Sequence, residues 1–120
     1  MLDHFGFNVD DLEKSKAFYT AALAPLGMTV LREGEGFAVI GGPSVRLWIG
    51  RLGLAASPIH FAFRAEKRAA VDAFHEAALA AGGRDNGAPG LRPNYRPDYY
   101  AAFVYDPDGH NVEAVTYSAE

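Results

Sequence analysis

An internal repeat constrains the fold of this chain more than any other sequence feature. When the sequence is shifted by 56 residues, segment 4–27 aligns with segment 60–83 without a gap, and ten of the 24 aligned positions are identical. Alanine-rich helices can match by chance, so the strongest sign of the repeat is the pair of H-F-x-F segments that begin at His4 and His60. A repeat of this kind indicates that one supersecondary unit has been duplicated.

Each copy of the repeat predicts a strand, then a helix, then further strands. In the first copy, the spacing of apolar residues predicts a strand over Leu2–Val9 and a helix that follows it. Asp10 and Glu13 have the spacing of a capping box at the start of this helix, and Gly27 is typical of its end. Short strands separated by glycine-rich turns are then predicted at 28–32, 37–40 and 45–49.

The second copy differs from the first by an insertion. Its strand begins at Ile59, its helix is predicted over about 66–81, and a final hairpin is formed by 99–105 and 111–117. The insertion, Asn86–Asp98, is rich in proline, glycine and tyrosine and is predicted to be a loop. Loops of this length on a rigid scaffold often carry specificity, although a plain surface loop stiffened by prolines is an equal alternative.

The repeat predicts an α+β fold made of two tandem βαβββ modules. Module one covers about 1–56 and module two about 57–120, so that residues 1–120 form a single domain. A chain of 120 residues is long enough to bury one hydrophobic core. We expect a curved mixed sheet with a concave cleft, and helices on its outer face.

Strand alternation predicts that both repeated histidines point into this cleft. Side chains along a strand alternate between its two faces, so His4 opposes Phe5, and His60 opposes Phe61. The phenylalanine face should pack under the helices, which leaves the histidine face, with the small residue Gly6, lining the cleft. Convergent polar groups beside unfilled space are what a ligand cleft requires.

Quasi-symmetry between the modules adds a carboxylate to the two histidines. We align Val112–Ala114 with Val45–Leu47, which makes Glu113 the equivalent of Arg46 and brings both near His4 and His60. Two imidazoles and one carboxylate are the set that holds a divalent first-row metal with open coordination positions. The alternative is that the histidines are ordinary hydrogen-bonded strand residues and that Glu113 pairs with an arginine.

The remaining histidines and acidic residues carry weaker signals. His75 lies on the second helix and His110 follows a turn, so both are predicted to be exposed. The segment 106–109, D-P-D-G, resembles the start of a calcium loop, but no acidic residue follows at the required spacing. We therefore predict a hairpin turn there.

Composition excludes several classes of function. The net charge is −4 and the basic residues are scattered, which argues against nucleic acid or an anionic membrane as partner. The chain has no cysteine, so disulfides, thiolate metal sites and cysteine nucleophiles are excluded. Strand-like sequence begins at Leu2, and no apolar run has the length of a membrane span. We expect a cytoplasmic protein.

Three motifs resemble the vicinal oxygen chelate superfamily, also called glyoxalase/bleomycin-resistance/dioxygenase proteins. They are L-D-H-F-G-F-N-V-D-D-L with K-A-F-Y after it, I-H-F-A-F, and F-V-Y-D-P-D-G-H-N-V-E. The resemblance covers essentially the whole chain. It implies paired βαβββ modules, a divalent ion (iron, manganese, nickel or zinc) on His4, His60 and Glu113, and a small substrate that offers two adjacent oxygens. It also implies a homodimer, in which one site sometimes uses residues of both chains.

The resemblance leaves the reaction open. A glyoxalase would have a second metal-binding carboxylate in the first module, where we place Arg46, and two histidines with one glutamate are instead typical of extradiol dioxygenases and thiol transferases. Within an enzyme, Glu113 is the predicted catalytic residue. Arg46 either binds an anionic group of the substrate or pairs with Glu113. The other predicted substrate-binding residues are Trp48, Arg96, Tyr99 and Tyr100. The alternative function is metal-free sequestration of a small molecule, as in bleomycin-resistance proteins.

Overall fold

The computed structural model describes residues 2–51 and 53–120, and it shows two four-stranded mixed sheets with two helices. The predicted α+β class with two βαβββ modules is confirmed. The elements are, in chain order, β1 (His4–Asn8), α1 (Leu12–Leu23), β2 (Thr29–Gly34), β3 (Phe37–Gly41), β4 (Arg46–Gly50), β5 (His60–Arg64), α2 (Arg68–Ala80), β6 (Arg84–Leu91), β7 (Tyr100–Tyr105) and β8 (Asn111–Thr116).

The two sheets have the same topology, as expected for duplicated modules. Their strand orders are β1-β4-β3-β2 and β5-β8-β7-β6. In each sheet the first strand pairs in parallel with the last, and the other pairs are antiparallel. The edge strands β1 and β5 approach each other through phenylalanine rings, with the ring centroids of Phe5 and Phe61 5.2 Å apart.

The core lies between the sheets and the helices. The phenylalanine faces of β1 and β5 point into it, and Phe7 and Phe63 are buried there while His4 and His60 are exposed. This confirms the predicted facing of both strands. Phe18 of α1 and Phe74 of α2 are completely buried in the same core, so both helices pack on the phenylalanine side. We call the opposite side of each sheet, which carries the histidines, its open face.

Two local predictions are corrected by the structure. Helix α1 is capped by Asp11, whose side chain accepts a hydrogen bond from the Lys14 backbone N–H, and not by Asp10. The segment predicted as a loop over Asn86–Asp98 begins as strand, because β6 runs to Leu91. Its pairing with β7 is irregular on both sides of Gly87, whose φ of 150° suits glycine. No helix in the described ranges is long and apolar enough to cross a membrane.

Candidate active site

The open face of the second sheet carries a buried carboxylate held by two side chains. Glu113 lies on β8 opposite Ala62 of β5, and its side chain is almost completely buried. His60 Nε2 lies 2.8 Å from Glu113 Oε1, and the Tyr99 hydroxyl donates a hydrogen bond to Oε2. The His60 side chain remains 53% exposed. The structure therefore brings together three of the predicted site residues, with an imidazole edge open to the outside.

Tyr99 fixes the orientation of the glutamate. Burial and the hydrogen bond to Glu113 raise the pKa of Tyr99, so its hydroxyl stays protonated and acts as a donor at neutral pH. The ring of Tyr99 packs edge-on against Tyr117, with centroids 5.5 Å apart. A carboxylate with one oxygen held in this way presents the other oxygen, Oε1, to His60 and to any ligand beside it.

The open face of the first sheet carries an oriented histidine. His4 Nδ1 lies 2.8 Å from the Asp3 carboxylate, and the His4 side chain is 68% exposed. The hydrogen bond from His4 lowers the pKa of Asp3, and the positive charge of Arg46 acts in the same direction. Because Nδ1 donates to the carboxylate, the lone pair of the neutral imidazole is on Nε2. Asp3 was not among the predicted site residues, although its position directly before His4 is a usable signal.

Strand pairing corrects the predicted equivalence of Arg46 and Glu113. Glu113 pairs with Ala62, and Ala62 is the repeat equivalent of Gly6. Gly6 pairs with Trp48, so Trp48 is the residue of the first module that corresponds to Glu113. Arg46 lies two residues earlier on the same strand, opposite the first histidine, and the alignment that made it equivalent to Glu113 is wrong.

The indole of Trp48 packs closely against two glycines of the open face, Gly6 and Gly50. A Cβ atom at Gly50 would lie 2.2 Å from Trp48 Cη2, and a Cβ at Gly6 would lie 3.0 Å from Trp48 Cε3. Contacts this close show that the indole occupies the space that side chains would fill at both positions. A surface depression of about 460 Å³ adjoins it, and its lining residues are His4, Gly6, Phe7, Asn8 and Trp48.

Of the other predicted substrate-binding residues, Tyr99 contacts Glu113, whereas Arg96 and Tyr100 make their hydrogen bonds elsewhere. Arg96 forms two hydrogen bonds with Asp98, at 3.0 and 3.1 Å, and stacks on Tyr117. Tyr100 points to the helix side of β7, where its hydroxyl donates to Asp72 of α2 at 2.7 Å. The structure thus brings Tyr99 to Glu113 but does not bring Tyr100 there.

The structure does not gather the three predicted metal ligands into one compact group within a single chain. Among the described residues, the one set of three His, Cys, Asp or Glu ligand atoms that lie within 4.8 Å of one another is Asp106, Asp108 and His110. His60 and Glu113 are in contact, whereas His4 lies on the other sheet.

This second group, Asp106–Asp108–His110, was missed by the sequence analysis, which predicted only the turn and placed His110 in solvent. His110 is in fact completely buried against Phe7, with ring centroids 4.8 Å apart. His75 is also more enclosed than predicted, with its side chain 14% exposed. The repeated acidic spacing before a histidine is a signal that could have indicated a cluster here.

Hydrogen bonds already engage most of the ligand atoms of this group. Asp106 Oδ1 accepts the backbone N–H groups of Asp108 and His110, and its Oδ2 accepts the Tyr19 hydroxyl. His110 Nδ1 accepts the Ile59 N–H, which places the imidazole proton on Nε2 and leaves that nitrogen no lone pair for an ion. The group is close enough to hold a cation, but these bonds favour a structural role.

Comparison with known proteins agrees with the fold. Residues 1–114 match the family model described as the Glyoxalase/Bleomycin resistance protein/Dioxygenase superfamily. The chain belongs to this superfamily. A solved glyoxalase/bleomycin resistance protein from Albidiferax ferrireducens T118 is 32% identical, with a TM-score of 0.84, and the match covers 97% of this chain and 98% of that one. No curated protein matches the chain.

Solved structures of lower sequence identity share the fold. A glyoxalase-related enzyme from Fulvimarina pelagi is 20% identical, with a TM-score of 0.76 and coverage of 97% of this chain and 87% of that one. A lactoylglutathione lyase from Agrobacterium tumefaciens is 21% identical, with a TM-score of 0.69 and coverage of 97% and 92%. At this identity the likeness concerns the fold and not the reaction.

Proposed function

We propose that this superfamily member is a metal-dependent enzyme that acts on a small substrate with two adjacent oxygen atoms. In this proposal His4, His60 and Glu113 hold one divalent ion. The observation that carries it is the Glu113 carboxylate, which is buried, oriented by Tyr99 and directed at an imidazole. A buried carboxylate is costly unless a cation or several hydrogen bonds compensate its charge. Here His60 Nε2 lies beside Oε1, and in this proposal the cation takes the place of the proton between these two atoms.

The donor atoms fit a divalent transition metal. Two ligand atoms that occupy neighbouring positions on one ion, each about 2.1 Å from it, are about 3 Å apart. The separation of 2.8 Å between His60 Nε2 and Glu113 Oε1 is close to this value. His4 has the arrangement that metal-binding histidines usually show, with Nδ1 on a carboxylate and, among the described residues, no hydrogen bond to Nε2. Nitrogen and carboxylate donors together suit iron, manganese, nickel or zinc.

The side chains around this centre have separate tasks in the proposed reaction. A bound divalent ion would polarise the substrate oxygens as a Lewis acid. In this proposal Glu113 would hold the ion through Oε1, while the Tyr99 hydroxyl keeps Oε2 occupied and prevents the carboxylate from turning away. Arg46, on the strand next to His4, is placed to bind a negative group of the substrate.

We further propose that a second copy of the chain completes the site. His4 belongs to one sheet, whereas His60 and Glu113 belong to the other, and the three ligand atoms do not form a compact group within the described residues of one chain. Members of this superfamily often form dimers. A partner that brings its own His4 to the pair on this chain would supply the third ligand without a change in either sheet.

Metal analysis by mass spectrometry tests the proposed function. Wild-type protein purified without chelator should contain about one divalent transition metal ion per chain, and His60→Ala should contain none. His75→Ala is the matched control, because His75 also lies 2.9 Å from a carboxylate, that of Asp85, on a different surface. Loss of metal from the control but not from His60→Ala would contradict the assignment.

A second candidate function is binding of a small molecule without metal or turnover. The observation in its favour is that His60, Glu113 and Tyr99 already satisfy one another by hydrogen bonds. If wild-type protein contains no metal, takes up none on titration and keeps its fold, sequestration becomes the better explanation of the same surface.

A further inference from the structure

An apolar groove lies between the two modules, apart from the candidate active site. This intermodule groove has a volume of about 940 Å³, and its lining comes from Leu2, Phe5 and residues 25–28 and 42–45 of module one and from most of 62–70 of module two. Cavities of about 300–1,000 Å³ with apolar walls are typical of sites for small organic ligands. The lining residues include none of the three proposed metal ligands, so the groove is a separate feature.

The internal repeat relates this groove to a second place in the molecule. The turn before β4, G-P-S-V, corresponds to the turn before β8, D-P-D-G-H, because the same backbone hydrogen bond closes both. In the first turn the Gly42 N–H donates to the Val45 carbonyl at 3.1 Å. In the second the Asp106 N–H donates to the His110 carbonyl at 2.9 Å. Val45 is therefore the counterpart of His110, and Gly42 is the counterpart of Asp106.

The equivalent place at the second turn is filled by side chains. There the His110 ring packs on Phe7 of the other module, with centroids 4.8 Å apart. The repeat equivalent of Phe7 is Phe63, which lines the intermodule groove. The smaller Val45 stands where a histidine ring would fill that space, and the first turn is one residue shorter. The groove is thus the space left by these smaller residues.

One end of the groove carries positive charge. Arg64 and Lys67 line it, and Glu66 between them offsets one of these charges. Lys67 is the N-cap of α2 and forms no side-chain hydrogen bond with the helix. Its repeat equivalent at α1 is Asp11, whose carboxylate accepts the Lys14 N–H. Helix α2 therefore lacks the capping carboxylate that α1 has, and its first turn contains no acidic residue.

The backbone at this end of the groove also offers a hydrogen-bond donor. The Arg68 N–H donates to the Glu120 carbonyl at 2.9 Å, whereas the next N–H, that of Ala69, has no acceptor among the described residues. Ala69 lines the groove. The Glu120 carboxylate lies 4.0 Å from Lys67 Nζ, and an ion pair this exposed is weak. This end of the groove therefore favours an anion over a cation.

We propose that the intermodule groove binds a small apolar carboxylate. The hydrocarbon part of the ligand lies against Phe5 and Phe63, and its carboxylate accepts the Ala69 N–H beside Lys67. The ligand carboxylate thus takes at α2 the place that the Asp11 side chain has at α1. The apolar walls require a hydrocarbon body, and the charge at one end requires a single anionic group. The proposal does not depend on the proposed metal-dependent function.

The test compares two probes of one chain length and opposite charge, octanoate and octylammonium. Each is titrated by calorimetry into the protein as purified. Octanoate should bind about two- to thirtyfold more tightly, which is the contribution of a capping carboxylate expressed as affinity. It should also shift the amide signal of Ala69 in an NMR spectrum. Equal or weaker binding of octanoate, or no binding with a Kd below about 10 mM, would overturn the proposal.

Lys67→Asp gives α2 the capping carboxylate that α1 already has. The new side chain competes with the ligand for the same N–H and removes a positive charge, so octanoate affinity should fall about tenfold or more. Lys14→Asp is the matched control, because it makes the same change of charge on the exposed surface of α1. The control should keep the wild-type affinity. An equal loss in both variants would mean that net charge alone attracts octanoate, and the groove would not be its site.

Two further variants fill the groove. Val45→Phe places an aromatic ring at the counterpart of His110, and Ala69→Phe adds one from an exposed helix position. Each should weaken the binding of octanoate about fivefold or more. Unchanged affinity in either folded variant would contradict the site. If octanoate does not bind and these variants instead shift the monomer–dimer equilibrium in sedimentation, a second copy of the chain covers the groove and the proposal fails.

His60→Ala separates the groove from the metal site. This variant should lose metal but bind octanoate as the wild type does, because His60 does not line the groove. If its octanoate binding is lost as well, the probe binds at the metal site and the groove proposal fails. If the wild type contains no metal but binds octanoate with the expected preference, the proposed enzymatic function fails and the groove proposal stands.

Discussion

The hydrogen bond between Tyr19 and Asp106 joins the helix of module one to the last turn of module two. The Tyr19 hydroxyl donates to Asp106 Oδ2 at 2.6 Å, and the two residues are 0% and 2% exposed. Burial, and then the negative charge of Asp106, raise the pKa of Tyr19 well above its usual value, so the hydroxyl remains a donor. Tyr19→Phe removes this bond and nothing else of comparable size.

The expected loss follows from the charge of the acceptor. A hydrogen bond to a charged group contributes about 1.5–3 kcal/mol, so Tyr19→Phe should lower the free energy of unfolding by about 2 kcal/mol. Asp106→Ala removes this bond and the two bonds from the backbone of Asp108 and His110. It should cost about 3–5 kcal/mol, which is a large part of the stability of a typical domain.

Urea denaturation of the two single variants and the double variant measures the coupling between the partners. We expect a coupling free energy of about 1–2 kcal/mol. Tyr100→Phe is the matched control, because it removes an exposed tyrosine–aspartate bond to Asp72 and should cost under about 1 kcal/mol. If the losses in free energy of unfolding of the two single variants sum to that of the double variant within about 0.5 kcal/mol, the buried bond is refuted. A stabilisation by divalent ions that persists in His60→Ala and vanishes in Asp106→Asn would refute the structural role of Asp106.

Two further predictions concern the assembly and the pH dependence. If the metal site lies across two chains, a mixed dimer of one His4→Ala chain and one His60→Ala chain has one site with all its ligands. Such mixed dimers should therefore regain about half of the wild-type metal content. If the site lies within one chain, they would regain none. His75 lowers the pKa of Asp85 chiefly by a hydrogen bond, so this pair stabilises the fold above the ordinary value of 3.8 and loses its effect as the pH falls through the lowered pKa. The free energy of unfolding of His75→Ala should therefore be lower than that of the wild type at pH 5, and this deficit should disappear as the pH falls through the lowered pKa of Asp85, below 3.8. A deficit that is unchanged at pH 2 would contradict the assigned cause.

Much of the fold could be predicted because it follows from local patterns. Alternation along β1 and β5 decides which side chains face the core, and the burial of Phe7 and Phe63 confirms it. The repeat then gives the second module from the first. The helix and strand types follow from residue period and turn residues, which depend on neighbours in sequence.

The site could be predicted only in part, because it depends on strand pairing, and the loops between the paired strands differ in length between the two modules. The repeat offset is 56 between His4 and His60, but strand pairing gives 113 − 48 = 65 between Trp48 and Glu113. The second module is thus nine residues longer before its last strand, which no motif in the first module reveals. When the last strands of the two modules are aligned by the turns that precede them, Arg46 becomes the counterpart of Glu113 in place of Trp48.

Burial of the polar residues near the last turn could not be predicted from sequence either. His110 follows a turn, which usually means exposure, yet Phe7 and the Ile59 backbone enclose it from a distance in sequence. Such contacts arise only when the two modules pack. The contact of Tyr99 with Glu113 lies within the second module, and it depends on how the segment between β6 and β7 places residue 99 next to β8.

The location of a bound ion is the most direct test of whether His4, His60 and Glu113 form a metal site. Crystals soaked in manganese or zinc, measured at the absorption edge of the metal, give an anomalous peak wherever the ion binds. We expect one strong peak within about 2.3 Å of His60 Nε2 and Glu113 Oε1, with His4 Nε2 of the same or a second chain as third ligand. A peak at Asp106, Asp108 and His110 instead, or no peak at His60 and Glu113, would contradict it.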